Sequence, residues 1–287
     1  MKILNLIGLI PKLLGTLILS RLNRIFIGKA VTGVLVETNQ GQYVVSPDDF
    51  GVSRWLLKNL FYGLDEINLI YKFSKPSDKI LFVGAHIGSL VIPVSTKISH
   101  ITAVEANPNT FKLFLMNIYL NGRKNITPLH LAASDKKESI TFLLSKVNSG
   151  GSKRMPKFKK FMYFFDKPDS IKVKADRLDN VLKVKFDSIF MDIEGSEFFA
   201  LKGMPKLLLH SKCLFIEFLP HHLKNVAGVT VSEFLECISP FFSYLYIPSK
   251  KMIISQSNFL GVLQSMYDKN EHDYAIVFSK KKININI

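Results

Sequence analysis

Ile80-Leu81-Phe82-Val83-Gly84-Ala85-His86-Ile87-Gly88 is the stretch on which the fold turns. Its four apolar residues have the length of a buried strand. The two glycines then let the backbone turn tightly, approach a ligand and enter a helix N-terminus. A second apolar run, Ile101–Val104, ends in Glu105, 21 residues beyond Gly84. A carboxylate there can accept hydrogen bonds from both hydroxyls of a ribose, or it can simply favour the start of the helix opened by Pro108. The order strand, glycine turn, helix, strand, acid favours ribose. Gly84, Ala85, His86 and Gly88 then form the cradle, with Ala106 and Asn107 beside the acid.

Working outward, apolar runs recur at Ile126–Leu131, Ser188–Met191, Cys213–Phe218, Phe242–Ile247 and Tyr274–Phe278. Between most of them lie helical patterns. Phe111, Phe114, Leu115 and Ile118 share one helix face, between Pro108 as a start and Gly122 as a stop. Alternation of this kind predicts an α/β fold, with a mostly parallel sheet covered by helices on both faces and ligands at the carboxyl ends of its strands. Ahead of it, Val31–Val36 and Gln42–Val45 flank the turn residues Asn39 and Gly41 and predict a hairpin. A helix is expected around Ser53–Leu64.

The loops after the later runs carry the chemistry. Ala132-Ala133-Ser134-Asp135 is small enough to leave room for an adenine ring against Ala133 and Ser134, and equally fits an ordinary turn. Met191-Asp192-Ile193-Glu194-Gly195-Ser196-Glu197 brings three carboxylates to one strand end, where mutual repulsion makes them costly without a use. Asp192 and Glu194 are placed near cofactor and substrate, while Glu197 falls on the first turn of a helix. Glu217 and the pair His221-His222 reach the same edge. Whether the acidic cluster holds a divalent ion is left open by the residues alone.

These stretches resemble the FkbM-type methyltransferases, enzymes dependent on S-adenosylmethionine. The likeness runs over about residues 50–280. It rests on Val83-Gly84-Ala85-His86-Ile87-Gly88 and on Val104-Glu105-Ala106-Asn107-Pro108. Most specific is the acidic string 191–197 with Leu201-Lys202-Gly203, followed by Phe215-Ile216-Glu217. The resemblance implies a Rossmann-like class I methyltransferase with a seven-stranded sheet whose last strand is antiparallel. It also implies S-adenosylmethionine over Gly84–Gly88, ribose on Glu105, and O-methylation of a hydroxyl on a sugar, glycan or related small molecule. A general base helps such a hydroxyl lose its proton. Asp192 or Glu194 is assigned that role, with His221 second. Two positions depart from the family pattern: Phe82 stands where an Asp is usual, and His86 where an Asn is usual. Phe82 supports an alternative, a degenerate Rossmann-like domain that binds a partner and has lost its cofactor.

Composition sets the outer bounds. The 287 residues are 47% hydrophobic, which excludes an intrinsically disordered chain. Two cysteines argue against a disulfide framework and a four-ligand zinc site. The net charge of +15 is concentrated in three places. Residues 1–30 hold Lys2, Lys12, Arg21, Arg24 and Lys29 with no acid; residues 153–174 hold eight basic residues against Asp166 and Asp169; Lys280, Lys281 and Lys282 follow near the end. Residues 1–30 read as a basic apolar helix, lying in a membrane interface or packed on its own domain. Residues 31–75 form a hairpin and helix cap, and 76–280 the methyltransferase domain. The stretch 148–170 reads as a basic, aromatic loop: a lid, a membrane anchor or a solvated segment. An anionic membrane surface is thus favoured over nucleic acid as the partner of the charge, and the expected location is cytoplasmic, peripheral on the membrane's cytoplasmic face.

Overall fold

Strands alternate their side chains between two faces, so a run apolar at every position is buried on both. The computed structural model describes residues 2–282, with side chains in the first helix from Pro11 onward. A helix over Lys2–Ile27 leads to β1 (Val34–Thr38) and β2 (Gly41–Val45), then to helices Val52–Asn59 and Leu64–Phe73. Next come β3 (Lys79–Val83), β4 (His100–Glu105) and β5 (Ile126–His130). A small sheet follows, of β6 (Ala132–Ala133), β7 (Glu138–Leu144), β8 (Lys153–Arg154) and β9 (Asp169–Asp176). β10 (Ser188–Met191), β11 (Cys213–Phe218), β12 (Tyr244–Ile247), β13 (Met252–Ser255) and β14 (Asp273–Ser279) complete the strands described.

The large sheet has eight strands in the order β13-β12-β14-β11-β10-β3-β4-β5. From β5 to β11 all neighbours are parallel, whereas β14 runs against both β11 and β12. The expected count of seven is corrected by β13, which folds back antiparallel on β12 through a tight turn with Lys251 at φ +48°. Ile80 and Phe82 face Leu56, Ile70, Ile92 and Phe114 on one side of the sheet. Leu81 and Val83 face Leu201, Leu207, Phe234 and Leu263 on the other. Each such side chain contributes roughly 1.5–3 kcal/mol on burial, so the two-faced pattern fixes the layering.

Two expectations change. The helix expected over Ser53–Leu64 stops at Asn59, because Leu60 and Gly63 take left-handed backbone at φ +56° and +63°; a second helix starts at Leu64. The stretch 148–170 is not a structureless loop. β8 pairs with β7, two 3-10 turns span Ser149–Gly151 and Phe161–Tyr163, and β9 opens at Asp169.

The hairpin β1–β2 docks on the helix Pro108–Leu120 through side chains. Asn117 Oδ1 accepts from Val44 N at 2.6 Å, and Asn121 Nδ2 donates to Gln42 O at 2.6 Å. The first helix is tied down over its second half: Ser20 Oγ donates to Asp48 O, Asn23 Nδ2 to Pro47 O, and Arg24 pairs with Asp48. That half is packed on its own domain. Its outer side remains apolar, with Leu14, Ile18, Leu22 and Ile25 exposed. No helix among the described residues is long and apolar enough to cross a membrane.

Candidate active site

The carboxyl ends of β3, β4 and β10 meet at one cavity of about 630 Å³, within the range of small-molecule sites. Its floor is the turn after β3. Gly84 sits at φ +99°, and a Cβ there would lie 1.8 Å from Asp192 O, so only glycine lets β10 close against the turn. His86 also takes left-handed backbone, at φ +52°, and its N–H donates to Glu105 Oε2 at 2.7 Å. The His86 ring reaches up to Ser149 Oγ, 2.7 Å from Nε2, while its buried Nδ1 has no partner. The turn over 149–151 is thereby fastened above the cradle. Asp49 holds it from the other side, accepting from Ser149 N at 3.2 Å.

Glu105 ends β4 in the cavity wall. Its Oε1 accepts from Asn107 N at 2.7 Å and from Thr110 Oγ1 at 3.0 Å. With His86 N, three donors occupy a carboxylate that offers about four acceptor positions. The acid is rigidly aimed, and roughly one position remains for a ligand hydroxyl.

The acidic string after β10 divides its labour. Asp192 and Glu194 line the cavity, as does Glu217 from β11. Glu197 turns back into the fold, and its Oε1 accepts from Ile193 N at 3.0 Å. Burial pushes the Glu197 carboxyl up to about 7. Burial, aided by the neighbouring acids, pushes Asp192 and Glu217 well above the ordinary carboxylate range. Such carboxyls exchange protons nearer neutral pH than free ones, which suits general acid–base work.

Among the positions named from sequence, Gly84, Ala85, His86, Glu105, Ala106, Ala133, Asp192 and Glu194 all line this cavity. Gly88, Asn107, Ser134 and His221 do not. Gly88 packs under Phe114, Asn107 caps the helix Pro108–Leu120, and Ser134 is bonded to Glu138 and Arg154 inside the small sheet. His221 Nδ1 lies 3.2 Å from Tyr163 Oη, and burial pulls the imidazole down to about 4. Its neighbour His222 is the one that approaches the acids, with Nε2 3.4 Å from Glu194 Oε2.

Sequence reasoning missed Lys153 altogether. It is buried, with Nζ 3.0 Å from Glu194 Oε2 and 3.2 Å from His222 Nε2. Its position within a run of basic residues hid it, because charge runs are normally solvated. Glu194, Glu217 and His222 are the group among the described residues whose ligand atoms, within 4.8 Å of one another, suit a metal ion.

A model of the methyltransferase FkbM domain matches residues 83–248. The chain belongs to the FkbM methyltransferase family. It is similar to the solved FkbM methyltransferase of Methylobacillus flagellatus KT, at 18% identity and a TM-score of 0.41, over 71% of this chain and 44% of that one. It thus spans less than half of that relative's length. The precorrin-6y C5,15-methyltransferase of Geobacter metallireducens GS-15 shares 14% identity, covering 78% and 92% of the two chains with a TM-score of 0.41. TYW2 of M. jannaschii, solved in complex with AdoMet, shares 12% identity over 87% of each chain with a TM-score of 0.40. No curated protein matches the chain. In this member of the FkbM methyltransferases, Phe82 fills the place of the usual Asp as a buried ring, 5.2 Å from Phe190, and it lines the cavity.

Proposed function

We propose that the cavity binds S-adenosylmethionine and that the protein transfers a methyl group to a hydroxyl of a sugar, glycan or related small molecule. The observation that carries this reading is the convergence of the glycine cradle, the aimed Glu105 and the acids Asp192 and Glu194 on one cavity. Gly84, Ala85 and His86 would hold the cofactor from below, Glu105 with Ala106 its ribose, and Ala133 its base. Gly88, Asn107 and Ser134 shape those groups from behind. The cradle fits such a ligand: Gly84, Ala85 and His86 all line the cavity, and the buried Nδ1 of His86 is left without a partner. When bound, the cofactor supplies an electrophilic methyl on a sulfonium.

The chain's own residues then have to orient the acceptor and take its proton. Asp192 or Glu194 is the base, both being in the cavity wall; His221 acts only if the acceptor reaches past Tyr163. Glu217 lies on the same wall. Asp192→Asn should abolish transfer to a hydroxyl acceptor while calorimetry still detects cofactor binding. Wild-type turnover in that variant would rule Asp192 out as base.

Phe82 favours the rival reading, a Rossmann-like binding domain that has lost its cofactor, since a polar anchor for the methionine end is replaced by an apolar ring. Calorimetric titration of the wild-type chain with S-adenosylmethionine decides between them. Saturable binding supports the enzyme, and absence of heat and of any thermal shift supports the binding domain.

We further assign the acceptor's side of the cavity to an anionic membrane surface, with the protein peripheral on its cytoplasmic face. Lys12 of the first helix and Trp55 of the next both line the cavity. Beyond them that first helix turns outward a face with Ile25 at 72% and Phe26 at 85% exposure, accompanied by Arg21 and Lys29. Apolar residues flanked by cations and no acids suit anionic headgroups.

A further inference from the structure

We infer that Lys153 is a cation built into this centre: its ammonium stands where a divalent metal ion held by Glu194 and His222 Nε2 would stand, with Glu217 behind the imidazole, and so positions the Glu194 carboxylate in the cavity wall. Only the use made of Glu194 rests on the methyl-transfer reading; the cation position does not.

The ligand atoms have the spacing of a metal site. Donors at 2.0–2.2 Å from one ion stand about 3–3.5 Å apart. Here Glu194 Oε2 is 3.4 Å from His222 Nε2, while Glu217 Oε2 lies 3.9 Å from Nδ1, on the other side of the ring. Between the first two stands Lys153 Nζ, at 3.0 and 3.2 Å. An ammonium has only donors, so the imidazole nitrogen facing it must be the acceptor. The proton of His222 is therefore on Nδ1, which is buried, has no hydrogen-bond partner and is aimed toward Glu217. A carboxylate and an imidazole suit manganese or zinc, and Glu217 would back the imidazole from its Nδ1 side, as outer carboxylates do. Two cations cannot share so small a buried volume, since their repulsion at 3 Å is poorly screened there.

Lysine is almost never buried without a partner, and Lys153 is 7% exposed. Besides its two polar contacts, Nζ lies 5.1 Å from the centre of the Tyr163 ring, a cation–π contact. The residue it holds needs holding. Glu194 takes φ +56°, a conformation that costs a non-glycine residue energy unless its surroundings fix it. Lys153 also comes from β8, where it pairs with Leu143 of β7. The small sheet, not the large one, thus supplies the positive charge, and the acidic end of β10 is complete only when that sheet is folded against it.

Manganese titration of the full chain, followed by electron paramagnetic resonance of free Mn²⁺ and by calorimetry, tests this. The wild-type protein should take up no stoichiometric Mn²⁺ in the submillimolar range. Lys153→Met should open the site to one Mn²⁺, and adding Glu217→Gln or His222→Gln should weaken that binding about tenfold or more. Lys153→Arg should exclude the ion as the wild type does. A wild-type protein that binds one Mn²⁺ and loses it on Glu217→Gln overturns the inference, as does a folded Lys153→Met protein that binds none. Should Lys153→Met fail to fold, reductive methylation of the wild-type protein with peptide mapping decides instead. Lys153 should stay unmodified while the exposed Lys157, Lys159 and Lys160 react; methylation of Lys153 at their rate overturns the inference.

Discussion

Glu105 is the residue whose role geometry narrows most. Three protein donors already hold its carboxylate, so its orientation is set before any ligand arrives, and little ordering entropy remains to be lost on binding. Glu105→Ala should weaken S-adenosylmethionine binding by about 1–3 kcal/mol, the loss of a buried acceptor, as read by calorimetry. Unchanged affinity would remove the ribose assignment. Glu197 makes a different prediction. Its carboxyl is raised from 4.5 to about 7, so between those values the folded chain keeps a proton that the unfolded chain releases. Stability from this group therefore falls as pH rises through that window, by up to about 3 kcal/mol. Denaturant melts at about pH 5 and about pH 8 should show a shallower pH slope for Glu197→Gln, which keeps the oxygen that accepts from Ile193 N; an unchanged slope would contradict the assignment.

At the level of elements, the segment 145–152 is what turns an open sheet edge into an enclosed cavity. One carboxylate anchors it: Asp166 Oδ2 accepts from Ser145 Oγ at 2.7 Å, Lys146 N at 2.6 Å and Val147 N at 3.3 Å. Asp166→Ala leaves those donors unpaired, at about 1–3 kcal/mol for a buried group. It should loosen the Ser149 contact with His86, raising protease sensitivity near residue 150 and lowering cofactor affinity severalfold, with the large sheet still melting cooperatively. Much of this element was legible in principle. Ile171, Val173 and Ala175 alternate with Ser170, Lys172 and Lys174, which is the pattern of a strand with one face in water. Counting the two lysines as part of a charge run conceals that period. The eighth strand of the large sheet was less visible, because β13 is a four-residue edge strand and short apolar runs do not specify their pairing.

Across the whole molecule the +15 charge lies mostly outside the cavity. The cavity edge gathers acids, and the basic segments lie around it on the first helix and the small sheet. Lys12 reaches the cavity lining, and Lys153 reaches the acids beside it. The membrane assignment belongs to this scale. The wild-type chain should float with vesicles containing anionic phosphatidylglycerol and far less with neutral ones, the binding weakening as salt screens the headgroups. Ile25→Ser with Phe26→Ser should abolish most of it. Flotation that ignores both lipid charge and those two residues, or no flotation at all, ends the assignment.

Short-range pattern in the chain suffices for the layered α/β sheet, the family and the two anchors of the cavity, the glycine turn after β3 and the acids after β4 and β10. These are local matters: a strand's end, a turn's glycine and the next residue's charge are adjacent in the chain, so periodicity and spacing carry them. Which residues meet across the chain is set by the folded packing alone. It brought Ser149 over His86, chose His222 rather than His221 to face Glu194, and drew Lys153 out of a basic stretch into the acidic centre. Those contacts join residues 28–69 positions apart. They depend on how the small sheet packs against the large one, and burial of that kind leaves no period in the sequence.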